Sequence, residues 1–540
     1  LKKYILIPVI CAFFLVAFKA SDYFEISKNI SIFADVYKEV NTTYVDEVKP
    51  GKLIRAAIDG MLKSLDPYTN FYSEAQAEDY RFQVSGTYSG IGASTRRING
   101  RIFIDSPLED RPCEKAGLRA GDEIITIDEI PVKDKSKSVI RDLLTGQSGT
   151  SVLVEVNRLS VGRIKKEIIR ENITLKNIAY SGVIDDIGYI KLVSFTPKAG
   201  KEVRDAVLKF KNQGVQKLVL DLRNNGGGLL NEAINIVNVF IPRGELIVET
   251  RGKFPEDNRS FKTMNSPVDT ETPLVVLING NSASASEIVA GALQDLDRAV
   301  LVGQNSFGKG LVQTTKGLSY NTSMKITTSK YYIPSGRLIQ RLDYSNKVGG
   351  KALAVADSSK RIFKTRNGRI VIDGEGIQPD AAIKPSKLSE LSLSLIQNHI
   401  LFNYATRFRS KHDSIVSPFE FEVSDSLYND FCLFIQDKDY DYVTRTEKNI
   451  NRLESQAKED KYYDMLSSEF TKLKLTMQDI KNKDTENHKS ELKELLEQEI
   501  IRRYYYQRGD IEVQFDDDMD WASSKEILTD STGYNQYLTP

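Results

Sequence analysis

At 540 residues the chain is too long for one hydrophobic core, and a prior of roughly 150 residues per domain gives about three or four domains. Lysine plus arginine and aspartate plus glutamate both number 74, so the formal net charge is zero and no global field draws the chain to nucleic acid. Three cysteines argue against a disulfide framework, and the three histidines, His399, His412 and His488, all fall in the last third.

Lys2 and Lys3 precede an apolar run over 4–18 and then Lys19-Ala20-Ser21, the profile of an export signal. The run is short for a spanning helix, which needs about 20 residues, so a cleaved signal is expected ahead of a retained anchor. Residues 1–20 are set apart as a signal peptide or membrane anchor, and 21–84 as an N-terminal helical region. There Ile26, Ile30, Phe33, Tyr37 and Val40 recur at helical spacing, and Ile54, Ile58, Met61 and Leu65 repeat the pattern after Pro50-Gly51. These are two amphipathic helices closed by a turn at Asp66-Pro67, their apolar faces assigned to core or dimer packing.

From Ser85 the texture changes to short strands and glycine turns, GTYSGIGAS, RIFI, AGLRAGDEIITID and GTSVLVEV, around a helical stretch near 137–144. This is a small domain over 85–172. Two readings of GIG at Gly90, Ile91 and Gly92 stand side by side: an ordinary glycine turn, or a loop whose N–H groups capture a peptide carboxylate beside a sheet edge. Over 187–384 strands alternate with helices: GYIKLVSF, a helix at 200–210, KLVLDLR, a helix at 229–241, PLVVLIN, a helix at 284–296, and AVLVG. Such βαβ alternation implies a largely parallel sheet with its active site beyond the strands' carboxyl ends. A polar insertion is expected over 343–373. Beyond Ser386 the chain turns charged and helical, a C-terminal domain over 386–540 whose charge runs, Asp516 to Asp518 included, are read as solvated faces.

Three segments converge on one edge of that sheet: DLRNNGGG, NGNSASASE and GQNSFGKG. Ser284-x-x-Glu287 is a capping box, but a serine at a strand-to-helix turn also exposes its hydroxyl, with the N–H of Ala285 and the helix dipole beside it for a developing oxyanion. A nucleophilic serine needs a base, and the absence of histidine before His399 makes lysine the substitute, with Lys309 the one at hand. To serve, Lys309 must fall from an ordinary pKa of about 10.4 to about 7 or 8, at a cost of about 4 kcal/mol, which burial beside Phe307 could supply. GQNSFGKG at 303–310 also matches the phosphate loop G-x-x-x-x-G-K-[ST] except at Gly310, which offers no hydroxyl for magnesium, and the sequence after it is strand-like where a helix should open. In DLRNNGGG the glycines either permit close packing or give a second oxyanion donor from Gly227 or Gly228.

Together with GTYSGIG, AGLRAGDEI, YYIPSGRLIQ and GIQPD, these segments resemble the carboxy-terminal processing peptidases, or tail-specific proteases, which are PDZ-containing serine/lysine peptidases. The match runs in order from about Gly86 to Asp380. It implies an α/β multidomain chain: a βαβ, ClpP/crotonase-like peptidase core over 173–385, an inserted PDZ domain, N-terminal helices and a C-terminal helical domain. It implies Ser284 as nucleophile, Lys309 as base, Gln313 orienting the lysine, oxyanion donors at Ala285 and the Gly227-Gly228 pair, and a carboxylate loop at Gly90, Ile91 and Gly92. Asp295 matches a family position too far along the helix to touch the serine and is taken as structural. Gly226 stands where many members have proline, and Glu129 where the PDZ hairpin usually has glycine.

The expected activity is cleavage of exported proteins with apolar C-termini by an enzyme of the periplasm, free or anchored to the inner membrane. No metal, cofactor, nucleotide or nucleic acid is called for. The helical tail is left to substrate delivery, homo-oligomer formation or an adaptor protein. The rival reading is a catalytically silent PDZ scaffold, against which stands the presence of Ser284, Lys309 and Gln313 together.

Overall fold

A computed structural model describes residues 2–540 other than 75, 78, 79, 81–84 and 386, with residues 2–22 described as backbone only. The expected export segment therefore lies outside the described side chains. Among the described residues no helix is long and apolar enough to cross a membrane. The chain divides into two compact units, one of Leu1–Glu78, Val312–Ser329 and Asp343–Leu353, the other of Asp79–Leu311, Lys330–Leu342 and Ala354–Pro540.

The smaller unit holds helices Lys2–Thr43 and Pro50–Lys63, the second opened by a proline whose missing N–H is no loss in a first turn. The turn at Asp66-Pro67 is tied by Asp66 Oδ1, which accepts from the N–H groups of Tyr68 and Thr69, both at 2.8 Å. Strand Asn70–Tyr72 then pairs antiparallel with residues 323–325. Of the apolar stripe assigned to core or dimer packing, Tyr37, Val40, Ile54 and Ile58 are half-buried, whereas Ile26, Ile30 and Met61 are 56, 63 and 62 % exposed. Two helices and a short sheet present too little surface to cover that face.

In the larger unit the first module is an antiparallel sheet in the order Ala93–Ile98, Arg101–Pro107, Glu123–Ile127, Ser151–Arg158, Gly162–Ile169. Val152, Val154 and Val156 alternate onto its buried face and pack with Ile102, Ile104 and Ile124 under helix Lys137–Leu144. Its two ends meet, Thr87–Gly90 pairing with Glu171–Thr174, which lets the module sit as an insertion. The hairpin joining Ile127 to Ile130 has positive φ at both Asp128 (46°) and Glu129 (63°), so Glu129 occupies a conformation that glycine would adopt without strain.

The second sheet runs Ile178–Ile184, Ile187–Leu192, Leu218–Asp221, Leu274–Ile278, Val300–Gly303, Ala381–Ala382, parallel except for the first pair. Every residue of Leu274–Ile278 is fully buried, as a strand covered on both faces must be. Helices Ala199–Asn212, Leu230–Phe240 and Ala285–Asp295 are its crossovers. The tail packs Phe515, Trp521, Ile527, Leu528 and Tyr534 against Tyr189, Val219, Val275, Leu277 and Val300. This corrects the reading of the acidic run as solvated: Asp516 and Asp517 are exposed, but Asp518 is held by Arg223 because the apolar residues around it dock the segment on the sheet. The helical domain has its own core, Leu395, Leu401, Tyr404, Phe431, Leu496 and Ile500 among it.

Candidate active site

Between strand Leu274–Ile278 and helix Ala285–Asp295 the backbone turns through Ser284 at φ 57°, ψ −111°, a positive-φ conformation unusual for a residue with a Cβ. Its neighbours hold it there. The carbonyl of Asn225 accepts from Ala283 N–H (3.0 Å) and from Ser286 Oγ (2.8 Å), while Ser282 Oγ donates to the Leu222 carbonyl (2.9 Å). Ser282 and Ser286 are fully buried and bound to backbone, whereas Ser284 is half-buried. Of the three serines in SASAS, Ser284 is the one whose hydroxyl donates to no backbone carbonyl among the described residues.

Glu287, which sequence reasoning treats only as a capping residue, is the hub of the site. Its Oε2 accepts from the N–H of Ser284 (2.8 Å) and of Lys309 (2.9 Å), and its Oε1 from Gly308 N–H (2.7 Å) and Ser306 Oγ. One carboxylate thus binds the serine turn to the lysine loop. Burial pushes its carboxyl up to about 7, although the four donors oppose that shift. Tyr331 adds a second bridge: its hydroxyl lies 2.7 Å from the Lys309 carbonyl and 3.2 Å from that of Ser284. The Ser-x-x-Glu spacing was the available signal for Glu287; Ser306 and Tyr331 had none.

The lysine loop leads into strand Leu311–Gly317, so no helix follows Lys309 to present N–H groups to a phosphate. Gly310 lies against the next segment of chain, where an added Cβ would stand 2.9 Å from Gln340 N and 3.1 Å from Gln340 Cβ. Its own N–H donates to Gln340 Oε1 at 2.8 Å. The letter that breaks the phosphate-loop match is therefore set by packing. Gly310→Ser is expected to cost about 1–3 kcal/mol by overpacking and to gain no melting shift from Mg-ATP; a variant that melts with wild type would refute this. Phe307, half-buried, has the guanidinium carbon of Arg341 5.9 Å from its ring centre, so the wall expected to be apolar carries a cation.

The DLRNNGGG turn meets the serine turn through Gly227, where a Cβ would fall 2.6 Å from the Ala283 carbonyl oxygen and 2.8 Å from Ala285 N. Close packing is thus a requirement here. The N–H of Gly227 donates to Asn225 Oδ1 at 2.9 Å. Gly228 pairs with Phe195, whose carbonyl accepts from Leu229 N–H at 2.9 Å. At Gly226 a Cβ would meet nothing within 4 Å, so nothing around it demands glycine in place of proline.

Gln313 belongs to the smaller unit, where its Nε2 donates to Thr327 Oγ1 at 3.2 Å. Asp295 is buried in an ion pair with Arg337 (2.9 Å) and accepts from Ser335 N–H (2.9 Å). In the PDZ module Ile91 is 2 % exposed, and the carbonyls of Ile91 and Gly92 are anchored by Cys113 N–H (2.7 Å) and Leu108 N–H (2.8 Å). Gly90 lies opposite Glu171. The next strand, Ala93–Ile98, is the end strand of its sheet, the place where an extended peptide could add.

Three family models match the chain: peptidase family S41 over residues 186–345, a PDZ domain over 89–169, and the C-terminal helical domain of a probable PDZ-protease over 391–528. A carboxy-terminal-processing protease of Bartonella bacilliformis is 40% identical over 318 residues, covering 58% of this chain and 73% of that protein. A probable CtpA-like serine protease of Staphylococcus aureus is 36% identical over 315 residues, covering 58% of this chain and 62% of that protein. Among solved structures, a photosystem II D1 C-terminal processing protease is 26% identical, over 66% of this chain and 93% of its own, with a TM-score of 0.36. The PDZ domain of a carboxy-terminal protease from Vibrio cholerae, in complex with peptide, is 24% identical over 16% of this chain and 99% of its own, with a TM-score of 0.16.

Proposed function

This chain belongs to the carboxy-terminal-processing protease family and is a serine-type peptidase with a PDZ domain, and on that footing we propose that it is an endopeptidase cutting with a Ser284–Lys309 dyad. The observation that carries the assignment is the shared carboxylate: Glu287 holds the backbones of Ser284 and Lys309 on one oxygen, 2.8 and 2.9 Å away. Lys309, as a neutral amine, takes the Oγ proton while Oγ attacks the peptide carbonyl carbon. The oxyanion accepts from Ala285 N–H and, since Gly227 already gives its N–H to Asn225, from Gly228 N–H. Lys309 gives its proton to the leaving amine, and a water deprotonated by the Lys309 amine, neutral again, attacks the acyl carbon and releases Ser284 Oγ, which takes that proton back from the lysine.

In this proposal the loop Gly90, Ile91 and Gly92 receives the terminal carboxylate of the substrate, and its last residues add to strand Ala93–Ile98 as a further strand. Exported proteins with apolar C-termini are the substrates, and the enzyme works outside the cytoplasm. The test compares one peptide ending in apolar residues as free acid and as C-terminal amide. Charge-assisted hydrogen bonds of about 1.5–3 kcal/mol predict a KM about 10- to 100-fold higher for the amide. Equal KM values would remove the carboxylate loop from the mechanism.

A further inference from the structure

The acidic tail reaches the catalytic turn through a single arginine. Arg223, two residues before Asn225, has all five guanidinium N–H groups engaged. Its Nε faces Asp221 (3.0 and 3.1 Å) and Nη2 adds a bond to the same carboxylate at 2.7 Å. Its outer fork grips Asp518, Nη1 to Oδ1 at 2.9 Å and Nη2 to Oδ2 at 2.6 Å, and Nη1 also reaches Asp520 at 2.9 Å. Only 15 % of the Arg223 side chain is exposed.

Asp518 is held from the other side as well. It caps helix Met519–Thr529, accepting from the N–H groups of Asp520 (2.9 Å) and Trp521 (3.1 Å). Trp521 packs edge-on against Tyr189 at 5.5 Å, and the Tyr189 hydroxyl donates to Asp221. The contacts close a ring from strand end to arginine, helix cap, indole and back to the strand. Burial opposes ionisation of Asp221, but Arg223 and Lys191 overcome it and hold its carboxyl well below the usual range.

From Arg223 the chain enters the turn that abuts Ser284. Asn224 Oδ1 accepts from the side chains of Asn279 (3.0 Å) and Asn281 (2.9 Å), and Asn225 holds Ala283, Ser286 and Gly227. Gly226, Gly227 and Gly228 have no side chains to anchor them, so the order of the turn depends on what holds its first residues. We propose that Asp518 and Asp520 are positioning residues for the reaction: the C-terminal segment braces Arg223, and Arg223 fixes the oxyanion turn against the nucleophile. This rests on the Ser284–Lys309 peptidase assignment and gives the end of the helical domain a task in catalysis.

The test uses the full chain with Asp518→Asn and Asp520→Asn combined. Asp221, shared with Lys191, still pairs with Arg223, and the two asparagines keep an acceptor oxygen each, so the fold is expected to survive, as a cooperative melt would show. The expected result is kcat lower by about 10- to 100-fold, up to the cost of losing one oxyanion donor, with KM within about twofold. D518E should recover more activity than D518N, and deuterium uptake across 222–232 should rise in the double variant. Unchanged kcat in the folded double variant, or unchanged exchange of the turn, overturns the brace. Should the double variant fail to fold, D518N alone is read by the same two measures. Absence of cleavage by wild type would remove the peptidase assignment instead, and the exchange comparison would still decide the brace.

Discussion

Lys309→Ala is expected to lower kcat on a peptide with an apolar C-terminus by about 10⁴-fold, and Ser284→Ala by as much, with peptide affinity retained in both. The two losses should not add, because nucleophile and base act as one unit, so the double variant should be no worse than either single one. Lys309→Arg keeps a cation of similar length but a guanidinium that stays protonated, and should be as inactive as the alanine variant. Undiminished cleavage by either alanine variant would sink the dyad. A wild type that binds peptide without cutting it would favour the silent scaffold.

Glu287→Ala is expected to be the most damaging change away from the dyad. It leaves the N–H groups of Ser284, Gly308 and Lys309 and the hydroxyl of Ser306 without the acceptor that a fully buried carboxylate now gives them. At about 1–3 kcal/mol for each unsatisfied donor, a loss of at least about 3 kcal/mol in stability is expected, with kcat falling together with it. Glu287→Gln keeps the volume, but its single carbonyl serves only one pair of donors while its amide confronts the other. It should fold and lose about 10- to 100-fold in kcat; a glutamine variant with wild-type kcat would show that the carboxylate does not position the dyad.

The same residue gives a pH dependence of stability. Its carboxyl sits near 7 in the folded protein against an ordinary 4.5, so the folded state binds the proton more tightly than the unfolded chain. This contribution is complete below pH about 4.5 and is lost as pH rises through about 7, by at most about 3 kcal/mol. Denaturant melts of wild type and Glu287→Gln between pH 4.5 and 8 test it: wild type should lose stability relative to the variant across that window. Parallel curves would refute the shift.

The strands at 187–192, 218–221, 274–278 and 300–303 were legible because each is a short, mainly apolar run bounded by turn residues, and the helices between them because their apolar residues recur at helical spacing. The places of Ser284 and Lys309 in the fold were legible, one at a strand-to-helix turn and the other in a glycine loop one strand later. Glu287 was visible only as half of a capping box, since a local pattern already explained it. Asp518 was misread for a related reason: a run of three aspartates looks solvated until its middle-distance neighbours Phe515 and Trp521 are seen to dock it on the sheet.

The sequence by itself determined which segments become strands and helices and which residues stand at the turns between them, because periodicity and turn chemistry are local and act within a few residues. Only the tertiary structure decided that one buried carboxylate would hold Ser284 and Lys309 together, that Gly227 would give its N–H to Asn225, and that the far end of the chain would grip Arg223. Those contacts join residues up to 297 positions apart. Burial and hydrogen-bond satisfaction select them, and neither leaves a repeat or a spacing along the chain.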